Sequence, residues 1–504
     1  MNQPSLAPTI RCFSLPLLAA ALMASASSAH AQTSPVAQNV VRVNVTSQAF
    51  DFSRPWAKRA PVSKRSLGAV LQGQRVLVTA DCVANATYIE LESPDGESKQ
   101  SASVEAVDYE ANLALLKSDA PEFLRPHPGL SVAPAKVGDS MSVWQLESNG
   151  NLMISKGSMT TAEVTRYPLD ESAFLTYRVS VPLQMRDASA TLPVLHDGKL
   201  AGLMLRYEPS SNLLDVIPAP VVEHFLQDTK RHPYEGFPRM GLSFSGTRDP
   251  QLRRFLHLEN YKGGVLVTQT LPGGPADESG IQKGDVILEI DGHPLDADGN
   301  YQDAQYGRIS LGHLVCTKHF EGEHISLRIL REGKPLQIQS KVSRRRPEQF
   351  LSEPYSFDKP PRYFILGGLV FQELSRAYLR EFGSDWVRKA PPELTNLDRT
   401  QSELEHAGAR RIVFLSRVLP SNVTIGYEEL RHLVVRKING IPLKSLEDLP
   451  EALANPRDGI HRIEFASDPF EIFLDAEACE KVGPSLQKGY RLPALQNLPS
   501  SSTP

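Results

Sequence analysis

The sequence is poor in cysteine, and beyond its N-terminal end it has no long apolar run. Of its four cysteines, Cys12 lies in a predicted leader, which leaves Cys82, Cys316 and Cys479. Three widely spaced cysteines do not make a disulfide framework, so each is expected to be a small buried side chain, with a single bridge as the alternative. No later segment has the apolar length that a membrane-spanning helix needs.

The sequence also lacks an excess of charge and the spacings typical of metal sites. A net charge of −4 over 504 residues gives no electrostatic reason to expect a nucleic-acid partner. The basic run Arg344-Arg345-Arg346 is interpreted as a solvated linker rather than a binding patch. Neither His-Glu-x-x-His nor paired Cys-x-x-Cys occurs, so no metal and no other cofactor is predicted.

Residues 1–31 have the features of a secretory signal peptide. Arg11 precedes an apolar run at 15–23, and the stretch ends in Ala29-His30-Ala31. This arrangement predicts cleavage after Ala31 and a soluble protein that is periplasmic or secreted. The length of the chain predicts about three domains.

Residues 40–226 alternate short apolar segments with turn residues, which favours an all-β barrel or sandwich. A turn at 196–199 separates the last two strands, and a helix is predicted at 221–230. The candidate strands are 40–45, 75–79, 87–92, 103–108, 113–117, 140–145, 152–155, 174–183 and 200–205.

Five motifs in this region occur in a recognisable order. They are Ser53-Arg54-Pro55-Trp56, Val76-Leu77-Val78-Thr79-Ala80, Asp108-Tyr109-Glu110-Ala111-Asn112-Leu113, Val137-Gly138-Asp139 and Val216-Ile217-Pro218-Ala219-Pro220. The ordered set resembles the protease domain of the HtrA/Deg family, and most of all its plant-type Deg branch. The resemblance implies a mainly β fold: a two-barrel trypsin-like (chymotrypsin-fold) domain at 32–230, followed by two PDZ-like α+β domains.

The same resemblance assigns the three catalytic positions of the family to Cys82, Asn112 and Ala190. The family keeps His, Asp and Ser there. A serine nucleophile needs a base to take its proton, and the base needs a carboxylate to hold its tautomer. Ala188, Thr191 and Leu192 also stand where the family has glycines in the loop that forms the oxyanion hole. The resemblance therefore implies a degenerate triad and a domain without proteolytic activity.

Three alternatives keep some chemistry in this domain. A shifted loop could present Ser189 as a nucleophile, or Cys82 could itself attack a substrate. Asp81 and Cys82 could also join His196 in a metal site. In each case the ordinary structural role, as a loop serine, a packed thiol or an unrelated histidine, is the stronger interpretation.

Residues 235–345 resemble a PDZ domain. The block at 280–295 carries the most specific signature, strands are predicted at 286–290 and 325–330, and a helix is predicted at 308–317. The resemblance implies that Gly241, Leu242, Ser243 and Phe244 form a loop whose N–H groups bind a peptide's terminal carboxylate, beside an edge strand that accepts the peptide. The alternative is a groove filled by the protein's own linker or used only for packing.

A linker is predicted at 346–361, followed by a second PDZ-like domain at 362–485 and a flexible tail at 486–504. The loop of the second domain would be Gly368, Leu369, Val370 and Phe371. This domain lacks the Gly-Asp pair before its strand and has an insertion at 383–409. The resemblance favours a role in structure or oligomer contact over peptide capture.

The leading hypothesis is an exported scaffold, chaperone or regulatory subunit that binds C-terminal or unfolded peptide segments. The rival hypothesis is a serine-type endopeptidase of periplasmic protein quality control. The resemblance also implies a homo-oligomer, a trimer or a multiple of it, or co-assembly with an active relative. Phe50, Phe52 and Trp56 are the candidate contacts for assembly.

Overall fold

The computed structural model describes residues 39–147, 149–169, 172–184, 191–231, 233–406 and 408–498. The predicted signal peptide (1–31) lies outside the described residues. So do Asp187, Ala188, Ser189 and Ala190 of the predicted nucleophile loop, and residues 499–504 of the predicted tail.

Within the described residues, six strands close into a first barrel in the order β1-β2-β3-β6-β5-β4. Valines at alternate positions of β1 point into its core. A short helix, α1 (Ala80–Val83), follows β3. The strands are β1 (Val40–Ser47), β2 (Val62–Leu71), β3 (Arg75–Val78), β4 (Ala86–Glu92), β5 (Lys99–Asp108) and β6 (Leu113–Ser118).

A second closed barrel follows, in the order β10-β11-β12-β9-β8-β7 among the described residues. The predicted turn before β11 is confirmed: Asp197 and Gly198 have φ of +47° and +75°, which suits a two-residue hairpin. Helix α2 (Ala219–Asp228) closes the domain. The strands are β7 (Ser140–Leu146), β8 (Leu152–Arg166), β9 (Ala173–Ser180), β10 (Pro193–His196), β11 (Lys199–Glu208) and β12 (Leu213–Pro218).

The candidate strands of the sequence coincide with observed strands, but β2, β10 and β12 were not among them, and β8 is longer than predicted. β2 is absent from the predictions because its first half is exposed and charged, without apolar alternation. β8 runs to Arg166, eleven residues beyond its prediction, because both β7 and β9 pair with it. Helix α2 begins at Ala219, two residues before its predicted start. Pro218 precedes the helix, and Pro220 is tolerated in its first turn.

The first PDZ domain is built on a sheet in the order β13-β14-β15-β19-β20. Strand β16 pairs with β15 across the Asp291-Gly292 turn, and β17 forms a hairpin with β18. The strands are β13 (Leu242–Ser245), β14 (Val265–Thr270), β15 (Val286–Ile290), β16 (His293–Pro294), β17 (Asn300–Asp303), β18 (Gly307–Ser310), β19 (His324–Arg331) and β20 (Lys334–Lys341). The helices are α3 (Pro250–Phe255), α4 (Pro275–Glu278) and α5 (Leu311–Lys318).

The predicted helix at 308–317 was placed three residues too early. Arg308 and Ile309 lie in β18, where Arg308 pairs with Asp296. Helix α5 begins at Leu311 because the Ser310 hydroxyl accepts a hydrogen bond from the N–H of Gly312 and caps the helix.

The second PDZ domain has a longer sheet, in the order β27-β26-β24-β23-β22-β21-β28, with β25 paired to β24. The strands are β21 (Tyr363–Leu366), β22 (Leu369–Glu373), β23 (Val413–Val418), β24 (Leu433–Ile438), β25 (Ile441–Pro442), β26 (Ile460–Phe465), β27 (Glu471–Asp475) and β28 (Gln496–Asn497). The helices are α6 (Arg376–Leu379), α7 (Trp386–Lys389), α8 (Pro392–Arg399), α9 (Gln401–His406), α10 (Leu449–Leu453) and α11 (Ala476–Tyr490). Short 3-10 helices lie at Pro121–Phe123, Pro347–Gln349, Arg380–Phe382 and Leu446–Asp448.

The sequence predicts a flexible tail from residue 486, but residues 486–498 are packed on the second PDZ domain. Helix α11 runs to Tyr490, and β28 pairs with β21. Leu486 and Leu492 are buried against Tyr363 and Ile365, and this long-range packing orders a segment that is polar on average.

One buried apolar cluster runs from the second barrel into the first PDZ domain. It joins Tyr177 and Phe225 of the barrel domain with Leu311 and Leu314 of α5, through Phe237. The first barrel contributes Leu77 and Leu113 to the same cluster and has a second core of its own, and the second PDZ domain has a separate core. None of the helices in the described ranges is long and apolar enough to cross a membrane.

Candidate functional site

A fully buried thiol occupies the position that the sequence comparison predicts for the catalytic base. Cys82 lies in α1 and belongs to the core of the first barrel. Burial raises the pKa of the Cys82 thiol to about 11. A thiol with this pKa stays protonated near neutral pH, so it acts neither as a nucleophile nor as a base.

The acid position is occupied by a buried amide. Asn112 has a φ of +53°, a conformation that asparagine tolerates better than most residues. Its Oδ1 accepts a hydrogen bond from the backbone N–H of Asp81 at 2.9 Å. The amide oxygen thus tethers the segment that carries Cys82. It has no negative charge with which to stabilise a cationic base.

Thr191, the first described residue after the predicted nucleophile loop, contacts the segment that leads into α1. The Thr191 Oγ1 lies 2.6 Å from the Thr79 Oγ1 and accepts a hydrogen bond from the Thr79 N–H at 3.2 Å. Thr79 directly precedes α1. No local pattern predicted this pair, because its members are 112 positions apart and neither lies in a recognisable motif.

Of the alternatives drawn from the sequence, Ser189 lies outside the described residues, and Cys82 is buried as described above. His196 lies against Asp139 and Asp197, with its Nε2 at 3.3 Å and 3.4 Å from their carboxylates. No three His, Cys, Asp or Glu side chains are grouped for a metal ion in the part of the chain that the structure describes. Cys316 and Cys479 are buried, free thiols, as expected of packed cysteines.

The predicted carboxylate-binding loop of the first PDZ domain leads into an open strand edge. Gly241 has a φ of +69°, and a Cβ there would lie 3.1 Å from the Cδ of Pro275. Strand β13 is the last strand of the described sheet on that side, and Ser243 and Phe244 are exposed on it. Such an edge has unpaired backbone groups with which another chain can pair.

An apolar floor lies beside this edge. The side chains of Phe244, Val265 and Leu311 converge on Gly299, where an added Cβ would lie 2.9 to 3.2 Å from all three. Leu311 opens α5, so the floor connects the edge strand with the helix across the groove. The structure therefore provides an edge and an apolar floor close to Gly241, Leu242, Ser243 and Phe244.

Helix α5 is also held against the second barrel. The hydroxyls of Tyr306 and Tyr177 lie 2.6 Å apart, and His313 packs edge-on against Tyr306. The His224 ring stacks between Phe237 and Phe320, at 4.3 Å from each. Burial lowers the pKa of both histidines, that of His313 to about 4. The first PDZ domain thus docks on the second barrel largely through neutral side chains, while salt bridges of Arg239 and Arg344 with Glu110 join it to the first barrel.

The loop of the second PDZ domain lies in a different environment. Leu369, Val370 and Phe371 are fully buried, and β22 pairs with β21 on the side that β13 leaves open. Strand β28 adds beyond β21. Gly368 has a φ of +118°, and a Cβ there would lie 2.3 Å from the carbonyl oxygen of Leu419.

All three aromatic residues predicted to mediate assembly make contacts within the chain. Trp56 meets Tyr363 of the second PDZ domain edge to face, with ring centroids 6.2 Å apart. Phe52 packs on a cluster that contains Leu374 and Phe414. The Phe50 ring lies under the ammonium group of Lys58.

Comparisons with known proteins agree with this architecture. Two segments, 238–342 and 353–496, match the family described as PDZ domain. The sequence is 28% identical over 463 residues to "Protease Do-like 2, chloroplastic" of Arabidopsis thaliana, covering 90% of this chain and 74% of that protein. It is 26% identical over 430 residues to "Protease Do-like 4, mitochondrial" of the same organism, covering 81% and 78%.

Among solved structures, the chain is similar to "HtrA-type protease AlgW with decapeptide", with a TM-score of 0.47 and 19% identity over 62% of this chain and 97% of that one. The relatives from Arabidopsis extend over both the barrel domain and the PDZ domains. The chain is therefore similar to proteases of the HtrA/Deg family and, like them, combines a two-barrel trypsin-like domain with two PDZ domains.

Proposed function

We propose that the chain is an exported HtrA/Deg protein without proteolytic activity, which binds C-terminal or unfolded peptide segments as a scaffold, chaperone or regulatory subunit. The observation that carries the proposal is the contrast between two sites. Cys82 is buried and protonated where a base is required, while β13 offers an open edge beside Gly241. Export is inferred from the leader pattern at 1–31.

The chemistry of the barrel site supports inactivity. A serine-type attack needs a group that accepts a proton and a carboxylate that orients this group. Cys82 stays protonated, and Asn112 is neutral. Loss of such a triad lowers turnover by about a million-fold.

The first PDZ domain supports peptide binding. A peptide that pairs with β13 gains main-chain hydrogen bonds, and its terminal carboxylate would face the N–H groups of Leu242, Ser243 and Phe244. Its last apolar side chain would reach the floor formed by Phe244, Val265 and Leu311.

A binding assay with matched variants tests this proposal. Labelled peptides with an apolar C-terminus, free or amidated, are titrated with the full chain by fluorescence anisotropy. Phe244→Asp is expected to weaken binding of the free-carboxyl peptide at least tenfold. The control Leu336→Asp changes a residue of similar exposure (39% against 37%) on the far edge strand of the same sheet. Equal binding by both variants, or no preference for the free carboxylate, would contradict the proposal.

A second candidate function is a serine-type endopeptidase of periplasmic protein quality control. The names of the relatives, which are called proteases, favour it. Casein digestion by the purified chain discriminates between the two. Cleavage that Ser189→Ala or Cys82→Ala abolishes would establish the second candidate and end the first.

The proposal includes assembly, as a trimer, a multiple of it, or a complex with an active relative. HtrA proteins are typically oligomeric, which favours this part of the proposal. Light scattering of the chain, alone and mixed with an active relative, tests this part. A monomer in both samples would contradict it.

A further inference from the structure

Part of the predicted linker is buried. Leu351 and Ser352 are fully buried, and Tyr355 is only 8% exposed, although they lie in the stretch 346–361 that joins the two PDZ domains. A proline-bearing spacer is expected to be solvated. Leu351 packs in a cluster of the second PDZ domain, whereas Tyr355 packs elsewhere, together with the residues that follow it. Residues 355–358, Tyr-Ser-Phe-Asp, are called the linker segment below.

The two aromatic rings of the linker segment pack on Tyr109 of the first barrel. The ring centroids of Tyr109 and Phe357 are 4.5 Å apart, and those of Tyr109 and Tyr355 are 5.7 Å apart. Ala80 and Ala84 of the α1 region belong to the same apolar cluster. Aromatic pairs at such distances contribute more than the area they bury.

Asp358 adds polar contacts that fix the position of the segment. The Asn85 N–H donates to the Asp358 Oδ1 at 2.7 Å, and the Asp358 N–H donates to the Asn85 Oδ1 at 3.0 Å. The Tyr109 hydroxyl donates to the same carboxylate. Burial, with the Asp358 carboxylate, raises the pKa of Tyr109, so this hydroxyl remains a donor. Reciprocal bonds of this kind are specific for one register.

The surface under the linker segment is the wall of the degenerate site. Ala80 and Ala84 flank Cys82, and Tyr109 lies three residues before Asn112. The second barrel contributes Leu169 to the same cluster. The second PDZ domain holds this residue as well, because the Arg380 guanidinium donates to the Leu169 carbonyl at 2.7 Å.

We propose that the wall formed by α1, Asn85 and Tyr109 is a peptide-docking site for segments of the pattern aromatic–x–aromatic–Asp, and that residues 355–358 are its intramolecular occupant. The site is separate from the groove of the first PDZ domain and goes beyond the function proposed above. An external segment of this pattern binds once the linker segment is released. A tethered occupant competes at an effective concentration in the millimolar range, so the intact chain binds such a peptide weakly.

The test uses the full chain and a labelled, C-terminally amidated peptide, Pro-Tyr-Ser-Phe-Asp-Lys, which has no free carboxylate for a PDZ loop. Tyr355→Ala/Phe357→Ala is expected to bind this peptide at least tenfold more tightly than the unaltered chain. Adding Asn85→Gly to the double variant is expected to lower the affinity again. Glycine adopts the φ of +56° found at Asn85 without strain, so this change removes the side-chain acceptor alone.

Two controls separate this proposal from the proposed function. A peptide with alanine in place of phenylalanine is expected to lose the gain in affinity. Phe244→Asp, added to the double variant, is expected to leave binding of the amidated peptide unchanged. Loss of binding with Phe244→Asp would assign the peptide to the first PDZ domain and overturn the docking site.

Hydrogen exchange checks whether the linker segment covers the wall. Exchange at residues 79–86 and 107–112 is expected to rise in the double variant. Asp358→Ala, which keeps both rings, is expected to give a smaller rise and serves if the double variant does not fold. Unchanged exchange in both variants would overturn the proposal. So would raised exchange with no binding of the peptide, because the wall would then be a packing surface only.

Discussion

The two PDZ domains carry loops of similar sequence in opposite environments. In the first, Phe244 is 37% exposed on an edge strand, whereas the corresponding Phe371 of the second is fully buried. The residues before each loop explain the difference. Those before Gly368 form β21 and fold back onto β22, whereas Phe237 is drawn into the core shared with the second barrel. The loop sequence alone does not make a binding edge.

The two domains also differ in how they are attached. The first shares a continuous apolar core with the second barrel. The second has a core of its own and is held by separate contacts, such as Trp56 on Tyr363 and the salt bridge of Arg59 with Glu381. The first domain is thus docked through a shared core with its edge open, whereas the second is docked through separate contacts with its edge closed.

A glycine-to-alanine substitution in each loop is expected to give the largest difference in stability between the two domains. Gly368→Ala is expected to destabilise the second PDZ domain by about 3 kcal/mol, because its φ suits only glycine and the new Cβ meets a backbone oxygen. Gly241→Ala is expected to cost about 1–2 kcal/mol, since its φ is left-handed but its nearest neighbour leaves more room. Local hydrogen exchange measures both. Equal losses would mean that the two loops are held alike.

Acid is expected to loosen the first domain. The pKa of His313 is lowered to about 4 by burial, with the Lys318 charge acting in the same direction and Asp303 against it. The ordinary pKa is about 6.5, so the unfolded or undocked state takes up the proton first as the pH falls. Stability is therefore present above about pH 6.5 and is lost progressively down to about pH 4. Between pH 7 and pH 5 the expected loss is about 2 kcal/mol.

His313→Leu is the control for this pH dependence. Leucine has no titrating group, so melting curves of the variant are expected to shift less between pH 7 and pH 5 than those of the unaltered chain. An identical shift in both would assign the acid sensitivity to other groups, such as His224.

Trp56→Ala is expected to loosen the second domain and leave the first unchanged. Half-burial of the indole against Tyr363 suggests a cost of about 2 kcal/mol, below that of a fully buried tryptophan. Exchange should rise in β21 and not in β13. A rise in both strands would show that the two attachments are coupled.

The smallest expected effect concerns the number of peptide molecules that one chain binds. Calorimetric titration with a C-terminal peptide is expected to give one site per chain, because β22 is already paired on the side where β13 is open. Phe244→Asp should weaken this single site by about tenfold, or about 1.4 kcal/mol. Two sites per chain would mean that β21 leaves the sheet in solution.

Patterns within short segments allowed much of the fold to be predicted. The strand at 286–290 and its Asp291-Gly292 turn were located because apolar alternation and turn chemistry are local. The charged half of β2 and the extension of β8 were missed, because each depends on a partner strand. At the site, the meeting of Cys82 with Asn112 followed from the family resemblance. The Thr79–Thr191 pair had no signal in either segment.

By itself, the sequence determined the barrel-then-PDZ fold and the local turns, and it predicted which residues stand at the catalytic positions, since these depend on side-chain type and near neighbours. Only the tertiary structure decided that β21 and β28 close the second groove, that Phe52 and Trp56 act within the chain, and that the linker segment covers the wall of the degenerate site. The physical reason is that strand addition and domain docking depend on which distant surfaces exclude water together, and no local pattern encodes that choice.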